Sequence, residues 1–187
     1  MQIKVVPLDS TRRDDFFAIH CEKCEMGWCY CTAWWVPNWD GWENRTAEEN
    51  RALREKLFHD EIHDGYILYA DDIPVGWCQC GPRDRLPKIR QIYNLMADPD
   101  VWAISCMFLL PAFREIGLAH YFLFGIIRHL CDMGVKYVQG FPKRGKELTA
   151  GDIWIGPESL YQKAGFILEQ DDRHHPVYGI KLTKEEK

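Results

Sequence analysis

An apolar run, a proline and then a glycine-led amphipathic pattern occupy residues 101–134 and constrain the fold more than any other stretch. Residues 101–110 are apolar, β-branched or aromatic at most positions and stop at Pro111, which is typical of a buried strand. After Gly117, apolar residues recur at the three- and four-residue spacing of one helical face: Ala119, Phe122, Leu123, Ile126, Ile127 and Leu130. Gly134 is a natural helix stop. The segment therefore predicts a strand, a tight turn and a long helix.

The turn between this strand and this helix is suited to binding an anion. The first N–H groups of a helix have no intrahelical partner and lie at the positive end of the helix dipole, so a phosphate placed there meets several donors at once. Gly117 lets the backbone come close to such a ligand, and Arg114 adds a fixed positive charge. The sequence therefore predicts a phosphate-binding turn at the start of the helix.

Charge and hydropathy argue against several classes of protein. The 187 residues carry a formal net charge of −5, which gives no electrostatic support to nucleic-acid binding. No apolar run approaches the roughly 18–20 residues that a membrane span needs, and the first residues lack the apolar core of a signal peptide. We expect one cytoplasmic domain, residues 1–187, with reduced cysteines and with no nucleic-acid or membrane partner.

The remaining patterns predict an α/β (α+β) domain. Further strands are predicted over residues 3–8, 66–70, 75–81, 136–141, 166–169 and 177–182. Further helices are predicted over residues 14–20, 46–59 and 158–163, the second of them opened by a capping box of Thr46 and Glu49. Residues 83–99 show no clear period and are predicted to form a long loop near a substrate.

A second motif lies downstream of the long helix. Residues 160–166, Leu-Tyr-Gln-Lys-Ala-Gly-Phe, have the form Y-x-x-x-G-F. Together with the strand and the R-x-x-G-x-A turn, this motif resembles the pattern of the GNAT acetyltransferase superfamily from about residue 66 onward. The cysteine- and tryptophan-rich residues 21–42 look like those of a bacterial branch of it. The resemblance implies the GNAT fold, a mixed twisted sheet of about six to seven strands with helices on both faces.

The resemblance also implies acetyl-CoA as cosubstrate, bound by residues 101–134. Its pantetheine arm would lie between the central strand and the next one, along Met107, Phe108 and Leu109. Its diphosphate would meet the turn residues Arg114, Glu115, Ile116, Gly117, Leu118 and Ala119. The backbone N–H near Leu109 would stabilise the oxyanion that forms on the thioester carbonyl. Tyr161 would protonate the leaving thiolate, or alternatively pack against the sheet and hydrogen-bond a loop.

The group that takes the proton of the attacking amine stays open. The family often has a glutamate on the central strand, and this strand has none. Ser105 is a candidate for holding a water in the site. Four carboxylates remain as alternatives: Asp98, Asp100, Asp152 and Glu158. An aryl or weakly basic amine would need no strong base.

By the same resemblance, residues 21–65 form a lid and a helix over the acceptor. Aromatic rings there would hold a cationic amine by cation–π contact or stack on an aromatic substrate, unless they only pack the lid onto the sheet. Five residues are candidates for substrate binding: Trp28, Tyr30, Trp34, Trp35 and Trp102.

The predicted function is that of an acetyl-CoA-dependent N-acetyltransferase, which transfers the acetyl group to a small amine by direct attack in a ternary complex. A homodimer is left open. One alternative is a non-catalytic acyl-CoA-binding or regulatory module on the same fold. Another is a zinc or redox protein built on Cys21, Cys24, Cys29 and Cys31. The spacing of these cysteines is cramped for zinc, so no metal is expected.

Overall fold

A single seven-stranded mixed sheet forms the centre of the molecule. The computed structural model describes residues 1–20, 27–145, 148, 152 and 154–183. The strands are β1 (Ile3–Pro7), β2 (Tyr66–Ala70), β3 (Ile73–Pro82), β4 (Val101–Leu109), β5 (Tyr137–Gly140), β6 (Ile167–Gln170) and β7 (Val177–Lys181). The helices are α1 (Arg13–Ile19), α2 (Ala47–His59), α3 (Pro87–Ile92), α4 (Leu118–Asp132) and α5 (Glu158–Lys163). The strand order is β1-β2-β3-β4-β5-β7-β6, with β4 and β5 parallel and the other pairs antiparallel.

The predicted mixed sheet with helices on both faces is confirmed, with one local correction. The prediction of a long loop over residues 83–99 is wrong at its centre, where α3 begins with a proline at its first position. The capping box of Thr46 and Glu49 forms as predicted at the start of α2. No helix in the described part of the chain is both long and apolar enough to cross a membrane.

Two apolar cores lie on opposite faces of the sheet. On one face, α4 buries its apolar stripe completely through Phe122, Leu123, Ile126 and Leu130. On the other face, α1 packs onto β3 and β4 in a separate cluster around Trp77. Most side chains of β4 therefore divide between a core under α4 and a core under α1, and Ala103 belongs to a third cluster with Phe141.

A β-bulge in β4 decides which side chains reach which core. Cys106 pairs with Gln79 of β3 and Ile104 pairs with Cys80, so Ser105 has no partner on β3. The extra residue shifts the alternation of the strand by one position. Ile104 before the bulge and the odd-numbered Met107 and Leu109 after it lie under α4, whereas Cys106 and Phe108 lie on the α1 face.

The pairing between strands β4 and β5 ends halfway along β4. They pair only from Val101 with Tyr137 to Ile104 with Gly140. β4 continues to Leu109, so residues 105–109 run on beyond the end of β5. This divergence leaves a gap beside the second half of the central strand.

Candidate functional site

The N–H groups on one edge of β4 point into the gap. The N–H of Leu110 donates to Val75 of β3 at 2.9 Å, and that of Met107 donates to the carbonyl of Trp154 at 2.7 Å. Because neighbouring residues of a strand point their N–H groups to opposite sides, Leu109 faces the gap as Met107 does. The gap therefore offers two backbone donors, and the Trp154 segment occupies one of them.

The predicted phosphate-binding turn lies between the end of β4 and the start of α4. Gly117 precedes the helix with φ +86°, and Glu115 also has a positive φ, +63°. No side chain caps this end of α4, and the first N–H groups of a helix have no intrahelical acceptor. Arg114 donates from Nε to the carbonyl of Leu109 at 2.8 Å and so ties the turn to the end of the strand.

A cavity of about 370 Å³ lies on the face of β4 away from α4. Aromatic side chains form most of its wall: Trp28, Trp34, Trp39, Trp42, Phe108 and Trp154. Trp34 is held firmly, since its indole Nε1 donates to the carbonyl of Ser105 at 3.0 Å. Its ring centroid lies 5.0 Å from that of Trp39 and 5.8 Å from that of Trp154. The cavity can therefore hold a flat apolar group between aromatic rings.

Of the five predicted substrate-binding residues, the structure brings Trp28 and Trp34 to this cavity. Tyr30 is buried in the core under α1, and Trp35 packs against the cluster that includes Phe141. Trp102 packs against the core under α4, to which Ile104 of the same strand also belongs, and so it lies away from the cavity. Trp39 and Trp42, two further rings of the predicted lid, also line the cavity, as do Trp154 and His20, which were not assigned to the site from the sequence.

Tyr161 occupies the packing position that was the alternative to its catalytic role. It is completely buried, and its hydroxyl donates to the carbonyl of Ile155 at 2.6 Å. Its ring lies against Gly140, where an added Cβ would be 2.1 Å from Cε1 of the tyrosine. Burial raises the pKa of Tyr161 well above its ordinary value. In this structure the tyrosine fixes the segment after β5.

Of the proton acceptors proposed from the sequence, the structure places Ser105 beside the cavity and holds two of the carboxylates in ion pairs. Ser105 is fully buried beside the cavity wall, and its Oγ has no partner within the described residues. Glu158 accepts two hydrogen bonds of 3.0 Å from Arg144, and Asp152 pairs with Lys143. No carboxylate is among the described residues that line the cavity.

Among the described residues that line the cavity, four have titratable side chains: His20, Cys29, Cys31 and Cys106. Burial lowers the pKa of His20 to about 3, with a further contribution from the charge of Arg54. The neutral ring lies 3.0 Å through Nδ1 from the carbonyl of Phe16, so Nδ1 carries the proton. The sequence signal for Cys29 and Cys31 was the cysteine cluster, which was interpreted as a possible zinc or redox site; no signal pointed to His20.

The zinc alternative falls partly outside the described residues. Cys21 and Cys24 are not among them. In the described part of the chain, no three His, Cys, Asp or Glu side chains are arranged to hold a metal ion.

Comparisons with known proteins agree on the fold. Neither a protein-family model nor a curated protein sequence matches the chain. Among solved structures, PaiA N-acetyltransferase from Thermoplasma acidophilum, in complex with coenzyme A, superposes with a TM-score of 0.55 at 14% identity and covers 97% of this chain and 99% of its own. An N-acetyltransferase from Staphylococcus aureus Mu50 gives 0.56 at 14% identity, covering 98% and 100%. The loading GNATL domain of CurA from Lyngbya majuscula gives 0.57 at 14% identity, covering 97% and 99%. The chain has the fold of the GNAT N-acyltransferases.

Proposed function

We propose that the protein is an acetyl-CoA-dependent N-acetyltransferase that acetylates the amine of a small molecule by direct attack in a ternary complex. The observation that carries the proposal is the set of features at the end of β4. A gap between two parallel strands, an uncapped helix N-terminus and an aromatic cavity come together there. The gap suits the pantetheine arm, the helix N-terminus suits the diphosphate, and the cavity suits the acceptor.

The coenzyme would bind along the exposed edge of β4. The pantetheine arm pairs with backbone like an added strand and takes the N–H groups of Met107 and Leu109. One of these donors then faces the thioester carbonyl, where it stabilises the oxyanion. Met107 gives up its bond to Trp154 when the arm enters. The diphosphate lies at the N-terminus of α4, against the backbone of residues 114–119.

The surroundings of the cavity favour a neutral aromatic amine as the acceptor. Arg54 lies buried behind the wall, and Nζ of Lys88 lies 4.8 Å from the ring centroid of Trp39. Two cations outside an aromatic wall repel a third inside it, and the described lining supplies no carboxylate to offset the repulsion. An arylamine is neutral at pH 7 and stacks well on tryptophan. Its nitrogen also has a free lone pair, so it needs no prior deprotonation.

Two measurements test the proposal. Acetyl-CoA at 100 times its Kd should stabilise the fold by ~2.7 kcal/mol, seen as a raised melting temperature. Release of coenzyme thiol should then be screened with aniline, phenylhydrazine, benzylamine and spermidine, and we expect the two aromatic neutral amines to react fastest. Failure of both acetyl-CoA and coenzyme A to raise the melting temperature would refute the proposal.

A non-catalytic acyl-CoA-binding module is the second candidate, and one observation favours it. The hydroxyl of Tyr161 and the N–H of Met107 are both bonded to the segment after β5, so two groups of the reaction scheme are already occupied. The same two measurements separate the candidates. Coenzyme binding without thiol release from any amine of the panel identifies the module.

A further inference from the structure

The lining of the aromatic cavity is rich in hydrogen-bond donors and poor in acceptors. The indole nitrogens of its tryptophans can only donate, and the sulfurs of its cysteines are weak acceptors. Among the described lining residues, His20 is the one whose side chain can offer a nitrogen or oxygen lone pair. A ligand that brings an N–H or O–H group into this lining therefore has one strong side-chain acceptor to meet.

The backbone carbonyls of two lining residues in the lid are already fully engaged. The carbonyl of Cys29 accepts from the N–H of Thr32 at 2.9 Å and from its hydroxyl at 2.8 Å. The carbonyl of Ala33 accepts from Nζ of Lys88 at 3.1 Å and from the indole of Trp39 at 2.6 Å. A carbonyl oxygen has two lone pairs, so neither of these carbonyls has one left for a ligand.

The ring of His20 is held in one orientation and in one tautomer. Its Nδ1 lies 3.0 Å from the carbonyl of Phe16 and therefore donates to it. Its plane stacks on the ring of Phe16, with 4.1 Å between the centroids and 21° between the planes. The opposite edge of the ring carries Nε2, and no hydrogen bond joins that nitrogen to a described residue. Burial lowers the pKa of His20 to about 3, so near neutral pH the lone pair of Nε2 is not lost to a proton.

His20 also lies close to the strand that would bind the thioester. Its ring centroid is 6.0 Å from that of Phe108, and both rings line the cavity. Phe108 stands between Met107 and Leu109, whose N–H groups are assigned above to the coenzyme. A nitrogen placed between His20 and β4 is therefore beside the stretch of strand that would hold the reacting carbon.

We propose that Nε2 of His20 recognises the acceptor by accepting a hydrogen bond from its N–H group. This inference rests on the proposed function and names the group that selects its aromatic amine. One N–H of the amine is held by His20, so the lone pair of the amine nitrogen is left for the thioester carbon. The cavity then prefers flat neutral molecules that carry an N–H or O–H over aromatic rings that carry neither.

The first test measures the binding of phenol and toluene, which share a ring and differ in a hydroxyl or a methyl of similar size. Their Kd values are measured by calorimetry with coenzyme A present, which has no acetyl group to transfer. The wild type is compared with His20→Asn, whose amide can still donate to the carbonyl of Phe16 but does not reach the position of Nε2. The Kd of toluene divided by that of phenol should be ~5- to 100-fold smaller in the variant, because a buried donor without a partner costs that much.

His63→Asn is the matched control for this measurement. His63 packs against Phe58, with 5.6 Å between the ring centroids, and is not among the described residues that line the cavity. Its Kd ratio should equal that of the wild type. A ratio in His20→Asn within twofold of the wild type overturns the inference, and so does a wild type that fails to bind phenol.

The second test needs no variant, since it follows the side-chain nitrogens of His20 by NMR in isotope-labelled wild type. His20 is recognised as a ring that stays neutral in mildly acidic buffer and carries its proton on Nδ1. Phenol should move the resonance of the unprotonated Nε2 toward that of a protonated nitrogen, and toluene should leave it in place. A proton found on Nε2, or an Nε2 resonance that bound phenol does not move, overturns the inference.

These outcomes separate the inference from the proposed function. A wild type that holds phenol through His20 but releases no thiol with aniline retains the contact and rejects acetyl transfer. Thiol release with aniline together with an unchanged Kd ratio in His20→Asn rejects the inference alone.

Discussion

Substituting Gly117 by alanine tests the phosphate-binding turn most directly, because Gly134 provides a matched control at the other end of α4. Both glycines have positive φ angles, +86° and +83°, and an added Cβ would meet nothing within 4 Å at either position. Each alanine variant therefore carries only the strain of a left-handed backbone, ~1–2 kcal/mol. For a domain of this size we expect each melting temperature to fall by about 2–8 °C.

Only the Gly117 variant should also lose affinity for coenzyme A. In the wild type, coenzyme at 100 times its Kd should add ~2.7 kcal/mol, or about 5–11 °C. A Cβ at Gly117 projects into the space that the diphosphate would occupy, and one lost hydrogen bond to a charged group is worth ~1.5–3 kcal/mol. Affinity then falls at least ~10-fold, and the shift at the same coenzyme concentration is halved to about 3–6 °C.

The assay is differential scanning fluorimetry of the three proteins with and without coenzyme A. Gly134→Ala should keep the full wild-type shift, although its melting temperature without ligand is as low as that of Gly117→Ala. Equal coenzyme shifts in the two variants would show that the diphosphate binds elsewhere, and the assignment of the turn would be abandoned.

Three further predictions concern the end of β5 and the segment that follows it. Tyr161→Phe should lower the melting temperature and leave kcat and coenzyme binding nearly intact, because the buried hydroxyl donates to the carbonyl of Ile155; a fall in kcat without a loss of stability would instead give the tyrosine a role in turnover. Gly140→Ala should cost ~1–3 kcal/mol in a urea titration, because its Cβ would overlap the ring of Tyr161, and an unchanged midpoint would contradict the observed packing. The Arg144 hydrogen bond lowers the pKa of Glu158 below 4.5, so the stabilisation is complete above that pH and is lost as the pH falls through the folded-state pKa. The stability gap between wild type and Glu158→Gln should therefore close in acid, and a gap that persists at low pH would refute this.

The sequence predicted those parts of the fold and site that depend on local pattern. The capping box at Thr46, the tight turn at Gly117 and the apolar stripe of α4 each follow from residues close together in the chain, and all three are present. The bulge at Ser105 depends on pairing with a strand far away in sequence, and no residue type announces it. A single extra residue there shifts the alternation of β4 by one position.

The grouping of side chains at the cavity could not be predicted from the sequence for a related reason. Cys31, Arg54 and Cys106 belong to three elements, and only the packed fold brings them together. The cysteine pattern of residues 21–31 drew attention to zinc or redox chemistry, whereas in the fold the backbone carbonyl of Cys31 accepts a hydrogen bond of 2.7 Å from Arg54 on the next helix. A cytoplasmic location remains a prediction from the sequence.

Trp154 belongs to both halves of the site, and this has a kinetic consequence. Its carbonyl bonds to Met107 in the gap, and its ring forms part of the cavity wall beside Trp34. A coenzyme arm that takes the Met107 donor must move the Trp154 backbone, and the ring moves with it. If the coenzyme binds there, the acceptor cavity would reach its final shape only afterwards. Substrate addition should be compulsory-ordered, with the thioester first, and a dead-end acceptor analogue should be uncompetitive against acetyl-CoA.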